Sequence, residues 1–440
     1  MITKFGTLYA GPIDLGELGL GATAVNDRRF DNEHLLTIFD RIEQMVKVMD
    51  DLGYHSFWAA EHHFQHEGNE VIPNLLLLYV HLAHITKNLK FGCGFNINPM
   101  WHPLRLAEDY ATADILTGGR VVFGIGRGYH SREVDTFGAP STITDTDANR
   151  ELFEEQTEII MKAFNEESFS YTGKYYTLPP EVPYRGYTLK EITLVPRPRT
   201  LPVETWQPIV SAGQRAMDFM AKHGIKGIIG GGAAAGGAQD QVITQWRDTL
   251  AKHGRETKLG TDLCIGYSTH IAETEEKAID EARIFFEENM KMFAPLGFVR
   301  GLSDEQITAL ASGSSARTAR PTARIGKDNR RIAVSITTSA RLFDQRMTRG
   351  MSRRRRGAAS SQSAMAASTL KNAVRRISGS AASIMSITVY GPSVLGLGCG
   401  CASRTSVFSC AAFAAAIWTI SRSRAWRSSR HSVSSCSVTM

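Results

Sequence analysis

The chain has 440 residues, of which 42% are hydrophobic and 21% are charged, so it is long and apolar enough to bury a sizeable core. It contains no run of about 18 apolar residues, which excludes a membrane-spanning helix. Its start lacks the apolar segment of a secretory signal, so we expect a cytoplasmic protein. The formal net charge of +6 hides an uneven distribution along the chain.

Charge changes sign abruptly near Ser312. Residues 1–312 carry 42 acidic and 29 basic side chains, whereas residues 313–440 carry two acidic and 21 basic ones. The first part contains two cysteines, Cys93 and Cys264, without paired spacing, which is typical of a reducing compartment. We therefore interpret residues 1–312 as the folded domain and residues 313–440 as a separate tail.

Strand-like and helix-like stretches alternate along the first part of the chain. Short apolar segments predict strands, and apolar residues at three- and four-residue spacing predict helices. Strands are predicted at residues 4–8, 55–60, 89–95, 121–125, 208–211, 225–229 and 262–267, and the helices that follow them at 33–52, 75–86, 104–116, 150–164, 216–222, 241–253 and 275–292. Seven such units favour a parallel α/β sheet, either open and doubly wound or closed into a (β/α)₈ barrel that lacks one unit.

Two stretches of the sequence show neither the strand pattern nor the helix pattern. Residues 167–206 are rich in Pro, Tyr and Thr and are predicted to form a long insertion. Residues 313–440 are dominated by Ser, Arg and Ala, a composition that we interpret as out-of-frame translation of a gene rich in G and C. The alternative is a genuine disordered basic tail, in which the run Arg353 to Arg356 would be a nucleic-acid patch.

Glu61, His62 and His63 follow the second predicted strand. Catalytic groups of parallel barrels lie at the carboxyl ends of strands, and imidazole transfers protons near neutral pH, so this block is a candidate acid/base site. A buried polar cluster without a catalytic role is the alternative. The spacing differs from the H-E-x-x-H pattern of helical zinc sites, and we expect no metal there.

Two turns are candidates for binding an anion. Residues 124–129 (GIGRGY) follow the fourth strand; their glycines permit close backbone approach, and Arg127 can pair with phosphate oxygens. They do not match G-x-G-x-x-G and no helix is predicted directly after them, so a simple tight turn is the alternative. Residues 211–215 (SAGQR) begin a helix whose backbone N–H groups, together with Arg215, favour a second anion contact.

Four blocks occur in a specific order and spacing, although each is short. They are SFWAAEHHF at 56–64, HPLRLAED at 102–109, DILTGGR at 114–120 and FGIGRGY at 123–129, followed by Phe137 and Gly138. Together they resemble the bacterial luciferase-like family of flavin-dependent monooxygenases. The resemblance covers about residues 3–300.

The resemblance implies a TIM-type (β/α)₈ barrel that binds reduced FMN and activates O₂. It implies that His62 is the acid/base residue near the flavin and that Glu61 supports the same side. Arg127 would bind the FMN phosphate. Asn96 and Asn98, at the end of the third strand, would lie against the isoalloxazine ring. The turn after the fifth strand would lie beside the phosphate, with Ser211, Gly213, Gln214 and Arg215 as its cofactor contacts.

Two departures from the family pattern change these expectations. Ala212 and Gly213 occupy positions where the luciferase subunits carry polar side chains, so light emission is not implied. The Gly-x-Pro-x-x-Val/Ile block that announces the eighth strand of the family does not follow Gly301. We therefore expect a barrel that lacks its eighth βα unit and has two open sheet edges.

The expected activity is insertion of one oxygen atom from O₂ into a small organic substrate. Reduced FMN would come from a separate flavin reductase, because no second nucleotide domain is visible. An F420-dependent oxidoreductase of the same barrel superfamily and a non-catalytic flavin-binding protein are the alternatives. The resemblance permits a homodimer; no membrane partner is expected, and nucleic-acid binding is expected only if the basic tail is genuine.

Overall fold

The computed structural model describes residues 4–210, 213–229, 238–270, 272, 274–296 and 385–390. The chain divides into two compact units, and the first comprises Met1–His270, Glu276–Ser335 and Ser383–Gly400. The second comprises Ile271–Glu275, Ile336–Ala382 and Cys401–Met440, most of it outside the described ranges. The predicted tail also lies outside them, except for residues 385–390, as does Ser211.

The helices and strands follow the predicted alternation. The strands are β1 Lys4–Tyr9, β2 Ser56–Ala59, β3 Lys90–Cys93, β4 Asn96–Ile97, β5 Val121–Gly126, β6 Tyr171–Thr172, β7 Thr177–Leu178, β8 Val182–Tyr184, β9 Tyr187–Leu189, β10 Thr205–Pro208, β11 Lys226–Ile229, β12 Leu263–Thr269 and β13 Met385–Tyr390. The helices are α1 Asn32–Asp51, α2 Leu75–His84, α3 Pro103–Thr117, α4 Ser131–Val134, α5 Thr146–Asn165, α6 Gln214–Lys222, α7 Ala238–Lys252 and α8 Glu275–Phe293, with 3-10 turns at Val25–Asp27 and Asn98–Met100. Among these helices, none is both long and apolar enough to cross a membrane.

The seven predicted strand–helix units are confirmed, with four local differences. The fifth strand lies three residues earlier than predicted, because β10 is Thr205–Pro208 and only Pro208 falls within the predicted range 208–211. The third strand is interrupted, because Gly94 and Phe95 separate β3 from β4. The helix α4 follows the turn at 124–129, where none is predicted; its four residues are too few to show a helical period. The insertion at 167–206 contains two hairpins, β6–β7 and β8–β9.

Nine of the strands form one sheet, which closes through the pairing of β5 with β10. Parallel pairs join β1, β2, β3, β5, β10, β11 and β12 in that order, and β13 lies antiparallel between β12 and β1. Ile387 of β13 is aligned with Thr7 on one side and Tyr267 on the other. The barrel is confirmed, but the expectation of two open edges is wrong. An open sheet edge can pair with a parallel or an antiparallel strand. The family's sequence pattern indicates only a parallel strand followed by a helix, so it did not predict the antiparallel β13.

Alternate strand residues fill the inside of the barrel. One buried cluster contains Trp58, Val122, Trp206, Ile228 and Cys264. The residues next to them in sequence, such as Phe57 and Phe123, belong to the larger core that includes the helices. Gly92 makes room for the Trp58 ring, since a Cβ at Gly92 would lie 2.1 Å from it. Because the interior is packed with side chains, the functional groups are left to the strand ends.

A carboxylate at the end of α1 fixes the approach to β3. Asp50 accepts hydrogen bonds from the backbone N–H groups of Lys87, Asn88 and Leu89 at 2.7, 2.9 and 2.8 Å. Burial alone would raise the pKa of Asp50, but these three bonds reverse the effect and lower it. The ionised carboxylate is therefore the form that stabilises this connection.

Asp50→Ala is expected to lower the free energy of unfolding by about 1–3 kcal/mol at neutral pH, because three backbone donors lose an ionised acceptor. Asp51→Ala is the matched control, because Asp51 is the next residue along the chain and its side chain is exposed. This variant should change the free energy of unfolding little. The pKa of Asp50 is lowered on folding, so its contribution is present above the ordinary value of 3.8 and is lost as pH falls below it. Urea unfolding at several pH values measures these free energies. If Asp50→Ala lowers the free energy of unfolding at neutral pH no more than Asp51→Ala does, the stabilising role of Asp50 is contradicted.

Candidate active site

The block after β2 lies at the carboxyl end of the barrel. β2 ends at Ala59, and the side chains of Glu61 and His62 are buried, with only 2% and 4% of each residue exposed. His63 is partly buried and takes a different partner from His62, since its Nε2 lies 3.2 Å from Glu61 Oε1. The predicted block is therefore divided into a His62 site and a Glu61–His63 pair.

His62 lies between two carboxylates from other parts of the chain. Its Nδ1 is 3.1 Å from Oε1 of Glu133, which lies on α4. Its Nε2 is 3.1 Å from Tyr129 Oη and 3.3 Å from Glu70 Oε1. Tyr129 Oη in turn donates to Glu70 Oε1 at 3.2 Å, and the Gln65 amide donates to both carboxylates at 3.1 Å. Both ring nitrogens of His62 thus have partners that can accept a proton.

The carboxylates determine which groups are charged. Burial alone would lower the pKa of His62, but the charges of Glu70 and Glu133 reverse this and raise it. Burial opposes ionisation of Glu133, yet the hydrogen bond and charge of His62 lower its pKa to about 2. Burial raises the pKa of Tyr129 well above its ordinary value. These shifts favour the imidazolium form of His62 between two carboxylates, next to a neutral phenol.

Glu61 organises the chain after β3. Its Oε2 accepts the backbone N–H of Ile97 at 2.8 Å, and its Oε1 accepts the indole N–H of Trp101 at 2.9 Å. The neighbouring amides are also used inside the protein: Asn96 Nδ2 donates to Gly124 O at 3.0 Å, and Asn98 Nδ2 donates to Thr157 Oγ1 at 3.2 Å. The structure therefore places Glu61, Asn96 and Asn98 together, as predicted, in a network that holds residues 96–101 in position.

The glycines at 124–128 are required by packing. A Cβ at Gly124 would lie 1.7 Å from Cys93 O, and one at Gly126 would lie 3.2 Å from Phe95 Cβ. Gly128 has a φ of +77°, a backbone conformation that glycine adopts without steric cost. A tight turn therefore explains these glycines. Within residues 124–129, only Arg127 supports the hypothesis of an anion site.

Arg127 lies among other charged groups. Burial lowers the pKa of Arg127, and the positive charges of Arg150 and Arg215 lower it further, while Glu154 opposes them. Arg215 Nη2 donates to Glu154 Oε2 at 2.7 Å. The structure thus places Arg127 near Arg215, as predicted, and adds Arg150, which sequence reasoning missed. We call Arg127, Arg150 and Arg215 the arginine cluster.

The remaining predicted residues of the 211–215 turn divide into two groups. Gly213 is the N-cap of α6 and, having no side chain, makes no side-chain capping bond to the helix, so the backbone N–H groups at this end suit an anion. The Gln214 amide instead donates to Asp218 Oδ1 and to Thr249 Oγ1, both at 3.0 Å. Its side chain therefore joins α6 to α7. Ser211 lies outside the described residues.

Sequence reasoning missed the partners of His62. Glu70 and Glu133 are not part of any motif, and Tyr129 was included in a block without a role. Their only local signal is the presence of two acidic residues, one in the loop after β2 and one on the short helix α4, near the strand ends. Two such residues are too common to single out, so the fold was needed to show that they meet at His62.

A family model described as luciferase-like monooxygenase matches residues 24–347. The flavin-dependent trigonelline monooxygenase, oxygenase component, of Acinetobacter baylyi is 33% identical over 109 residues, 25% of this chain and 30% of that protein. Limonene 1,2-monooxygenase of Rhodococcus erythropolis is 25% identical over 276 residues, 61% of this chain and 65% of that protein. The chain therefore spans less than two thirds of the length of these relatives.

Solved structures share the fold. Monooxygenase RslO1 from Streptomyces bottropensis has a TM-score of 0.51 at 19% identity over 67% of this chain and 82% of that one. The oxygenating constituent of 3,6-diketocamphane monooxygenase from Pseudomonas putida has a TM-score of 0.52 at 19% identity, covering 72% and 81%. Since the family model matches well over half of the residues and the barrel agrees with it, the chain belongs to the luciferase-like monooxygenase family.

Proposed function

We propose that this chain is the oxygenase component of a two-component flavin monooxygenase. It uses O₂ and reduced FMN, which a separate flavin reductase supplies, to insert one oxygen atom into a small organic substrate. Family membership supports this, as does the relative from A. baylyi, whose name describes a flavin-dependent oxygenase component. The observation that carries the proposal is the buried His62, held between Glu70 and Glu133 at the strand ends.

The residues present fit FMN. The arginine cluster concentrates positive charge near the uncapped start of α6, an arrangement that binds phosphate. We propose that this cluster and the backbone at Gly213 hold the FMN phosphate. Asn96 and Asn98 act indirectly, by holding the segment that lies against the ring. Bound FMN supplies the electrons and the activation of O₂.

In this proposal His62 donates the proton that such a reaction needs. Glu133 orients the imidazole through Nδ1, and Nε2 holds a proton within 3.1 Å of Tyr129 Oη. His62 is buried while Tyr129 is only partly buried, so Tyr129 connects Nε2 to the rest of the site. Glu70 and Glu133 keep the imidazole charged, and His62 is thus a proton donor at neutral pH.

Oxygen labelling tests the proposed function. The protein is supplied with reduced FMN by a flavin reductase, under isotopically labelled O₂, with a panel of small ketones, aldehydes and terpenes. One labelled oxygen atom in a product is the expected result. Hydride transfer from reduced F420 without O₂ consumption would instead support an F420-dependent oxidoreductase. FMN binding with no turnover of any panel member would favour a flavin-binding protein without catalysis.

Arg127→Ala is expected to weaken FMN binding about 10–100-fold, because a hydrogen bond to a charged group contributes about 1.5–3 kcal/mol. Arg105→Ala is the matched control, since Arg105 is an exposed arginine of α3 that pairs with Glu108 at 3.0 Å, and should leave the affinity unchanged. Quenching of flavin fluorescence measures both. Equal dissociation constants for the Arg127→Ala variant and the unmodified protein would remove Arg127 from the phosphate site.

A further inference from the structure

We propose that His62, Glu70 and His130 form a binding site for one divalent transition-metal ion of the Zn²⁺ type. One ligand atom from each residue can be chosen so that all three lie within 4.8 Å of one another. All three residues are buried, at 4%, 4% and 5% exposed. Two imidazoles and one carboxylate are donors that Zn²⁺ and neighbouring first-row metals prefer.

His130 gives an independent reason to expect a ligand. Its Nε2 is buried and, among the described residues, makes no hydrogen bond of good geometry. It forms only a long contact with the cluster, 3.5 Å from Glu70 Oε2. A buried polar atom that is poorly satisfied is unfavourable. A metal ion beside Glu70 would satisfy the lone pair of this nitrogen.

The carboxylate of Glu70 lies next to both imidazoles. His62 Nε2 is 3.3 Å from Glu70 Oε1, and His130 Nε2 is 3.5 Å from Glu70 Oε2. Metal–ligand bonds of about 2.0–2.1 Å in a tetrahedron place neighbouring ligands about 3.4 Å apart. The three ligand atoms, which lie within 4.8 Å of one another, must therefore move closer together around the ion, with the fourth position left for water or Tyr129 Oη.

The surroundings also resemble those of metal-bound histidines. Glu133 lies 3.1 Å from Nδ1 of His62, so Nε2 is the nitrogen that points to the ion. A carboxylate on the far nitrogen is the usual support of a ligating imidazole, since it fixes the ring and increases its basicity. The surrounding charges also suit a cation, because the carboxylates of Glu70 and Glu133 lie on either side of the His62 ring.

The metal and the proposed oxygenation use the same nitrogen. A metal ion on His62 Nε2 would occupy the nitrogen that lies 3.1 Å from Tyr129 Oη, so we expect it to inhibit turnover. This consequence rests on the proposed function, whereas the site itself does not. No metal was expected from the sequence, because the spacing of His62 and Glu70 matches no metal motif and His130 lies in a different loop.

Titration of the flavin-free protein with Co²⁺ and with Zn²⁺ tests the site without any activity assay. We expect one equivalent of Co²⁺ to produce visible absorption typical of a four- or five-coordinate ion, and Zn²⁺ to displace it. His130→Ala and Glu70→Gln should abolish this signal, and Glu133→Gln should weaken the affinity about 10–100-fold. His66→Ala is the matched control, since His66 is a partly exposed histidine of the same loop as His62 and is not one of the three ligands. This variant should bind the metal as the unmodified protein does.

Circular dichroism and thermal unfolding without metal establish that each variant is folded. Glu70→Gln keeps the shape of Glu70 and one of its two acceptor oxygens, and so remains informative if His130→Ala does not fold. The proposal is overturned if the unmodified protein shows no saturable binding at one equivalent, or if folded His130→Ala and Glu70→Gln variants bind Co²⁺ as it does. Metal binding without inhibition of turnover would leave the site intact and contradict only the role of His62 in oxygenation.

Discussion

Replacing His62 by alanine is expected to lower kcat for oxygenation by about 10²–10⁴-fold, the range that a positioned acid or base contributes. His62 is the charged group at the centre of the site, with Glu133 3.1 Å from Nδ1 and Tyr129 Oη 3.1 Å from Nε2. Truncation removes the proton donor and leaves the arginine cluster untouched. FMN affinity should therefore change far less than turnover, which stopped-flow and steady-state assays measure together.

Two further variants separate catalysis from stability. His62→Ala leaves Glu70 and Glu133 buried without their cation, which is itself destabilising, so His62→Gln, whose amide still donates a hydrogen bond, is measured beside it. His66→Ala is the control for the loss of a nearby imidazole. If His62→Gln is folded, binds FMN and keeps the turnover of the unmodified protein, His62 is not the acid/base residue.

Gly124→Ala is expected to prevent formation of a stable barrel. The added Cβ would lie 1.7 Å from the backbone oxygen of Cys93, on the strand next to β5. A flexible side chain could rotate away, but this carbonyl belongs to the sheet and cannot move without separating β3 from β5. Overpacking by a methyl group usually destabilises a protein by about 1–3 kcal/mol, occasionally more. Because backbone must move here, we expect the upper end of that range or beyond, with little soluble protein.

Gly21→Ala is the matched control for Gly124→Ala. No heavy atom lies within 4 Å of a Cβ built at Gly21, and its φ is not in the left-handed region, so the free energy of unfolding should change little. Soluble yield and urea unfolding of the two variants, prepared in parallel, make the comparison. A Gly124→Ala variant with the stability of the unmodified protein would contradict the packing of β3 against β5.

The sequence predicted the residues of the site better than their roles. His62 was identified because its motif stands directly after a strand, and Arg127 and Arg215 because turns after strands are positions where anions bind. Gln214 was also expected at the cofactor, yet its amide bonds Asp218 and Thr249 between α6 and α7. Which way a side chain turns at the start of a helix depends on the neighbouring helix, and one segment of sequence contains no information about that neighbour.

The sequence by itself determined the seven strand–helix units, because the period of apolar residues within a segment decides which of its faces can be buried. It also determined where the barrel has strand ends, and so where His62 lies. Only the tertiary structure decided that Glu70, Tyr129, His130 and Glu133 meet around His62, and that β13 joins β12 to β1. Such contacts join residues far apart in the chain, and they depend on packing and backbone pairing that leave no period in the sequence.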